Sequence, residues 1–186
     1  MRLAGRSGRL RLLIVGGSQG AKVFNDIVPQ AVQVLSESSR PQVWHQTGSR
    51  DEAAVSTRYR ELYAEARVNA FIDDMAAAYA WADVVLCRAG AMTVAELAAA
   101  GVASILVPLP HAADDHQTAN ARFLAERGAA LLLPQGEFVP ERLAGLLAGL
   151  AGDRNRIEGM AVAARAGAMS NATATVAQHC REAAHA

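Results

Sequence analysis

The chain has 186 residues, 52% hydrophobic and 19% charged, with lysine plus arginine equal to aspartate plus glutamate. That describes one folded domain with a core, too short for two full ones, and a balance of charge that draws it to no nucleic acid. Its two cysteines, Cys87 and Cys180, form no CxxC pair and no secretory leader precedes them, so reduced thiols in a cytosolic setting are expected.

Residues 1–10 read as a linker remnant made basic by Arg2, Arg6 and Arg9, with Arg11 following: a solvated lead-in, or a weak contact with anionic lipid headgroups. Residues 11–186 read as the domain. Residues 11–15 (RLLIV) form an apolar strand that runs into Gly16-Gly17-Ser18-Gln19-Gly20, and a helix is expected over 21–36. Pro41 opens a second strand at 42–46, closed by Thr47-Gly48-Ser49. A polar helix over 52–66 leads to a third strand at 67–71. Asp73 and Asp74 stand at an N-cap before a short apolar helix, 75–81. Strand 83–87 is broken by Gly90, helix 93–100 is stopped by Gly101, and strand 104–107 is halted by Pro108 and Pro110. A polar loop at 111–115 precedes a helix to about residue 127, a sixth strand covers 130–133, and the chain from about 139 is helical. The longest apolar run, 97–110, is interrupted by Gly101 and Pro108 and falls short of the ~20 residues needed to span a bilayer.

Short apolar strands alternating with helices predict βαβ units: a Rossmann-like parallel sheet with helices on both faces. Ligands of such sheets bind beyond the carboxyl ends of the strands, so the informative loops are 16–20, 72–74, 88–93 and 108–117. In the first, a dinucleotide GxGxxG fingerprint fails at Ser18 and Ala21, and a P-loop fails at Ala21 and Val23. GxSxG does match between a strand and a helix, so a hydrolase nucleophile at Ser18 is one alternative, with His111, His116 or His179 as partner. An electrostatic reading is the other. A glycine turn lets backbone approach a phosphate, the helix dipole contributes roughly 0.3–2 kcal/mol, and a Ser18 hydrogen bond to a charged oxygen about 1.5–3 kcal/mol. A plain strand–helix turn is the structural alternative.

The loop Cys87-Arg88-Ala89-Gly90-Ala91-Met92-Thr93-Val94-Ala95-Glu96 repeats the plan. Thr93 and Glu96 have the TxxE spacing of a capping box, so Glu96 either caps its helix or faces the cleft and accepts the two hydroxyls of a ribose. An acid after so late a strand argues against a nicotinamide cofactor. In the third loop, His111, Asp114 and His116 have no diagnostic metal spacing, and Gln117 and Asn120 share one helix face, where two amides suit sugar hydroxyls.

Taken together, the glycine loop, Phe71-Ile72-Asp73-Asp74-Met75, the stretch 87–96 and Asp115-His116-Gln117-Thr118-Ala119-Asn120-Ala121 resemble the C-terminal domain of the MurG family, bacterial N-acetylglucosaminyltransferases that convert lipid I to lipid II. The resemblance runs from about residue 9 to the C-terminus. It implies one half of a GT-B glycosyltransferase, binding UDP-N-acetylglucosamine and needing no metal or cofactor. By resemblance Ser18 meets the diphosphate, the backbone of Ile72 reads uracil, Ala91, Met92, Thr93, Val94 and Ala95 line the nucleotide pocket with their amides near the phosphates, and Glu96 binds the ribose. Gln117 holds the sugar hydroxyls with help from Asn120. Gly17, Gln19, Gly90 and His116 adjoin, His116 standing where some relatives carry glutamine. The family's N-terminal domain lies outside this sequence, and with it the acceptor loops for lipid I, the general base and the surface that docks peripherally on the cytoplasmic face of the membrane. An arginine that meets the phosphates just before the first strand is likewise absent. The same residues also fit a stand-alone subunit of a split glycosyltransferase.

Overall fold

The computed structural model describes residues 3, 5–17, 20–62, 64, 66–110, 115–169 and 171–184, with the backbone alone at 173. In chain order these form β1 (Arg11–Val15), α1 (Lys22–Val34), β2 (Gln42–Gln46), α2 (Glu52–Glu61), β3 (Ala66–Asn69), α3 (Met75–Trp81), β4 (Val84–Cys87), α4 (Ala91–Ala100), β5 (Ala103–Leu106), α5 (His116–Ala125), β6 (Ala130–Leu132), α6 (Pro140–Ala151), α7 (Arg154–Ala166) and α8 (Ala172–Ala184). Every strand pair is parallel, and the sheet order is β3-β2-β1-β4-β5-β6.

The apolar strand runs follow from burial on both sides. Leu12 and Ile14 turn to one face and Leu13 to the other, and none is exposed. A strand covered twice has no solvent face, so its sequence shows no polar alternation. One face is covered by α1, α2 and α6 through Phe24, Val28, Tyr59, Leu143 and Leu147. The other is covered by α3, α4 and α5 through Ala78, Val94, Leu97 and Leu124. Side chains of this size each contribute about 1.5–3 kcal/mol when fully buried. Within α1, Pro29 cannot donate to the Asn25 carbonyl one turn back. Arg58 of α2 replaces that bond, its Nη1 donating to Asn25 O at 3.2 Å and to Asp26 Oδ1 at 3.1 Å.

Strands β1 and β2 and helix α3 lie where the sequence puts them. Helix α2 ends at Glu61, short of 66, and β3 closes at Asn69, which leaves Phe71 55% exposed at the carboxyl rim. Helix α4 starts at Ala91, two residues before the expected start. The helical tail resolves into three helices, with α7 opened by Asp153, whose Oδ1 accepts from Arg156 N at 2.9 Å. The described side chains of α8 are exposed throughout. The apolar run 97–110 is the end of α4, then β5 and the turn after it, and no helix among the described residues is long and apolar enough to cross a membrane.

The basic lead-in departs from expectation. Its described residues are folded onto the domain: Leu3 and Leu10 are 6% and 2% exposed and join the core. Arg6 Nη1 donates to Asp83 Oδ1 at 2.9 Å, and its guanidinium also holds the carbonyls of Ala80, Trp81 and Ala82 at the end of α3. Arg154 Nη1 donates to Asp83 Oδ2 and Nη2 to Gly8 O, each at 2.6 Å, and Arg11 N donates to Asp83 Oδ2 at 3.0 Å. The Asp83 side chain is 1% exposed. Burial pushes its carboxyl up, but the hydrogen bonds from Arg154, Arg6 and the Arg11 amide outweigh burial and hold it below its ordinary value. Asp83→Asn is expected to lower the unfolding free energy at pH 7 by about 3 kcal/mol, the low end for breaking a buried pair. Because the folded value lies below the unfolded one near 3.9, this stability is present above about pH 4 and fades as pH falls through the folded value. Urea midpoints of the two proteins should therefore converge at acid pH.

Candidate functional site

The sheet changes winding direction between β1 and β4: β2 and β3 extend one way from β1, and β4, β5 and β6 the other. Helix α1 therefore leaves β1 onto one face, while α4 leaves β4 onto the opposite face. Their N-termini open a crevice at the carboxyl rim, the place where such sheets bind ligands. Helix α1 starts after Ala21 and α4 after Gly90; among the described residues no side chain caps either, and neither first turn carries an acid. Each terminus thus leaves N–H groups unpaired and carries roughly half a positive charge.

The loop after β1 is shaped by what lies behind it. Gly17 and Gly20 have φ of +83° and +73°. Gly20 N donates to Gly17 O at 2.9 Å, and Gln46 Nε2, at the end of β2, donates to the same oxygen at 3.0 Å. A Cβ on Gly20 would sit 1.9 Å from Thr47 O, so this loop lies directly on the loop after β2. Asn25 secures that neighbour, its Nδ2 donating to Thr47 O at 3.0 Å and to Asp51 Oδ2 at 2.8 Å. Ser18, expected at the diphosphate, and Gln19 beside it fall outside the described residues, as do His111 and Asp114.

The loop after β4 is braced from three sides. Arg88 Nη1 donates to Val107 O at 3.2 Å and Pro108 O at 3.1 Å, Nη2 donates to Gln135 Oε1 at 2.7 Å, and the guanidinium carbon lies 5.0 Å from the centre of the Phe24 ring. These partners are neutral, so a positive charge stands beneath the crevice, and burial lowers its affinity for the proton. Ala89 is fully buried. Its N–H donates to Gln117 Oε1 at 3.3 Å, the Leu109 N–H reaches the same oxygen at 3.0 Å, and Asn120 Nδ2 donates to Ala89 O at 3.0 Å. The two α5 amides do share a face, as their spacing required, but each commits one end to the rim backbone.

Along α4 the residues expected to line a pocket divide. Ala91 and Met92 are exposed, Met92 to 74%, and Thr93 is half-buried. Val94 instead enters the core at 6% exposure and spends its amide on Gly90 O at 3.0 Å, so the open amides are those of Ala91, Met92 and Thr93. The capping alternative for Glu96 does not hold: Gly90 occupies the N-cap, and Glu96 lies almost two turns into the helix. Its carboxylate is exposed and accepts from the Tyr79 hydroxyl at 2.9 Å. It lines an open groove of about 410 Å³ between α3 and α4, beside Met75 and Tyr79. Burial and then the Glu96 charge push the neighbouring Cys87 thiol up to about 12, leaving it unreactive. Ile72 precedes α3 and is buried, 5% exposed, its side chain joining the core on the α3 and α4 face. Asp74 caps α3 as expected, accepting from Ala77 N at 2.8 Å. His116 is exposed at the start of α5, behind Asp115, whose φ is +51°. Three contributors carried no role in the sequence reading: Arg88, Gln46 and Tyr79. A charged residue directly after an apolar strand, as in Cys87-Arg88, was the available signal for the first.

Comparison with known proteins adds to this geometry. The model of the glycosyltransferase family 28 C-terminal domain matches residues 11–179. A Marinobacter nauticus protein named UDP-N-acetylglucosamine–N-acetylmuramyl-(pentapeptide) pyrophosphoryl-undecaprenol N-acetylglucosamine transferase is 54% identical over 184 residues, 99% of this chain and 51% of the relative. One of the same name from Azoarcus sp. is 58% identical over 181 residues, 97% of this chain and 50% of the relative. The crystal structure of Acinetobacter baumannii MurG superposes with a TM-score of 0.90 at 44% identity, over 97% of this chain and 52% of that one. The chain thus spans about half the length of the curated relatives it matches.

The glycine loop supplies a stability test. Gly17→Ala should cost roughly 1–2 kcal/mol, the left-handed backbone penalty alone, because nothing lies within 4 Å of the added carbon. Gly20→Ala adds the collision with Thr47 O and should cost about 4 kcal/mol or more, read as the difference between urea midpoints.

Proposed function

Because this chain belongs to the family of glycosyltransferase family 28 C-terminal domains, we propose that it is the donor-binding half of an N-acetylglucosaminyltransferase and holds UDP-N-acetylglucosamine at the crevice between β1 and β4. The observation that carries the reading is the pair of uncapped helix N-termini at that crevice, with the exposed Glu96 carboxylate beside them. Each residue then has a chemical task. The amides of Ala91, Met92 and Thr93 face the diphosphate, joined by Ser18 and by the close backbone of Gly17, Gln19 and Gly90. The Ile72 main chain meets uracil, and Glu96 accepts the ribose diol. The free end of the Gln117 amide turns to the sugar, with His116 and Asn120 at its edge.

The chemistry asked of such a site is leaving-group stabilisation. An acceptor hydroxyl attacks the anomeric carbon with inversion, the bond to the phosphate oxygen breaks, and negative charge grows on the diphosphate. N–H groups already fixed in place stabilise that charge without reorganising, as an oxyanion hole does. Two helix termini contribute about 0.3–2 kcal/mol each toward a bound phosphate. The acceptor is lipid I, yielding lipid II. It would be presented, and its hydroxyl deprotonated, by a further half acting at the cytoplasmic face of the membrane.

Calorimetry should find this chain binding UDP and UDP-N-acetylglucosamine more tightly than ADP or NAD, and transferring no sugar by itself. Equal affinity for all four nucleotides would contradict the reading. Glu96→Ala should weaken UDP about ten- to a hundredfold, the span of a hydrogen bond to a charged group, and leave inorganic pyrophosphate unchanged.

A further inference from the structure

Glu96 does not stand alone in its groove. The Tyr79 hydroxyl donates to Glu96 Oε2 at 2.9 Å, and Tyr79, on α3, is itself 6% exposed and part of the core on that face of the sheet. We infer that Tyr79 is a positioning residue for nucleotide recognition, its hydroxyl holding the Glu96 carboxylate in the orientation that receives both hydroxyls of the ribose. This rests on the nucleotide-sugar reading above.

Tyr79 and Glu96 divide the labour between them. An exposed glutamate samples many rotamers, and ordering it when a ligand arrives subtracts from affinity. Tyr79 is fixed by packing, and through one hydrogen bond it passes that fixity to a side chain that must stay open to solvent. The bond uses one lone pair of Oε2. Oε1 and the second lone pair of Oε2 remain, enough for two hydroxyl donors. Burial, and then the bond to Glu96, raise the phenol's pKa, so its oxygen keeps the proton and acts as donor. Tyr79 also ties the ribose contact to uracil. It sits on α3, the helix whose Asp74 cap fixes the turn that carries Ile72. One short helix thus sets the backbone for the base and the carboxylate for the sugar.

The test is a calorimetric titration with UDP and with 2′,3′-dideoxyuridine 5′-diphosphate, which lacks the diol. It is run on the 186-residue chain and on Tyr79→Phe, Glu96→Ala and the double variant. Tyr79→Phe should weaken UDP about three- to tenfold, leave the dideoxy nucleotide unchanged, and have no further effect once Glu96 is alanine. Unchanged dideoxy affinity also reports that the variant is folded. Tyr79→Phe weakening both nucleotides equally would mean the hydroxyl supports only the packing, and Tyr79→Phe weakening neither would mean it does nothing for the ribose; either overturns the inference. If Glu96→Ala fails to weaken UDP relative to the dideoxy nucleotide, the ribose contact itself is wrong, and the inference falls with it.

Discussion

Two helix N-termini meet where the sheet reverses its winding, and neither is neutralised by a described side chain. Unpaired N–H groups at the end of a helix need an acceptor, and a crevice with two such ends needs one that is strongly negative. Arg88 adds to the demand, because its three hydrogen bonds among the described residues go to neutral oxygens. A diphosphate, as proposed above, would satisfy these sources of positive potential at once. Other features of the rim follow from letting it approach. Glycine at 17 and 20 brings backbone to the surface, and small residues at 90 and 91 do the same on the other side.

Such a site works only if it is rigid before the ligand arrives, since dipoles that must swing into place lose much of their advantage. The rim is cross-braced accordingly. Gln46 ties β2 to the first loop, Gln117 and Asn120 hold both polar atoms of Ala89, and Arg88 links the ends of β4 and β5 to Gln135. The opposite end of the sheet has a different task. There Asp83 gathers Arg6, Arg154 and the Arg11 amide into a knot that fastens the lead-in segment and α7 to the start of β4. The proposed binding site lies at the carboxyl ends of the strands, and this anchoring at the amino ends.

What the sequence disclosed depended on how local the cause was. Strand 11–15 was legible as an apolar run ending at Gly16, strand 42–46 because Pro41 opens it and Thr47-Gly48 close it, and α3 because Asp74 supplies an N-cap. The start of α4 was misjudged because Thr93-x-x-Glu96 mimics a capping box, whereas Gly90 starts the helix without a side-chain cap. Arg6 looked like a solvated charge because its partner lies 77 positions away, beyond any local pattern. Gln117 and Asn120 were placed on one face correctly, but that they grip Ala89 depends on how α5 packs against the loop after β4. Glu96 was singled out, while its support from Tyr79 arises only when α3 and α4 are brought together. The motifs point to the loops that form the rim; the bracing that holds those loops still is tertiary.

The central claim is that the crevice between β1 and β4 seats a diphosphate on two helix ends. A crystal structure of this chain soaked with UDP-N-acetylglucosamine tests it most directly. The account predicts phosphate oxygens within hydrogen-bond distance of the Ala91, Met92 and Thr93 amides and of the loop around Gly17. Well-ordered nucleotide with its phosphates elsewhere on the molecule, and those amides facing only solvent, would contradict it.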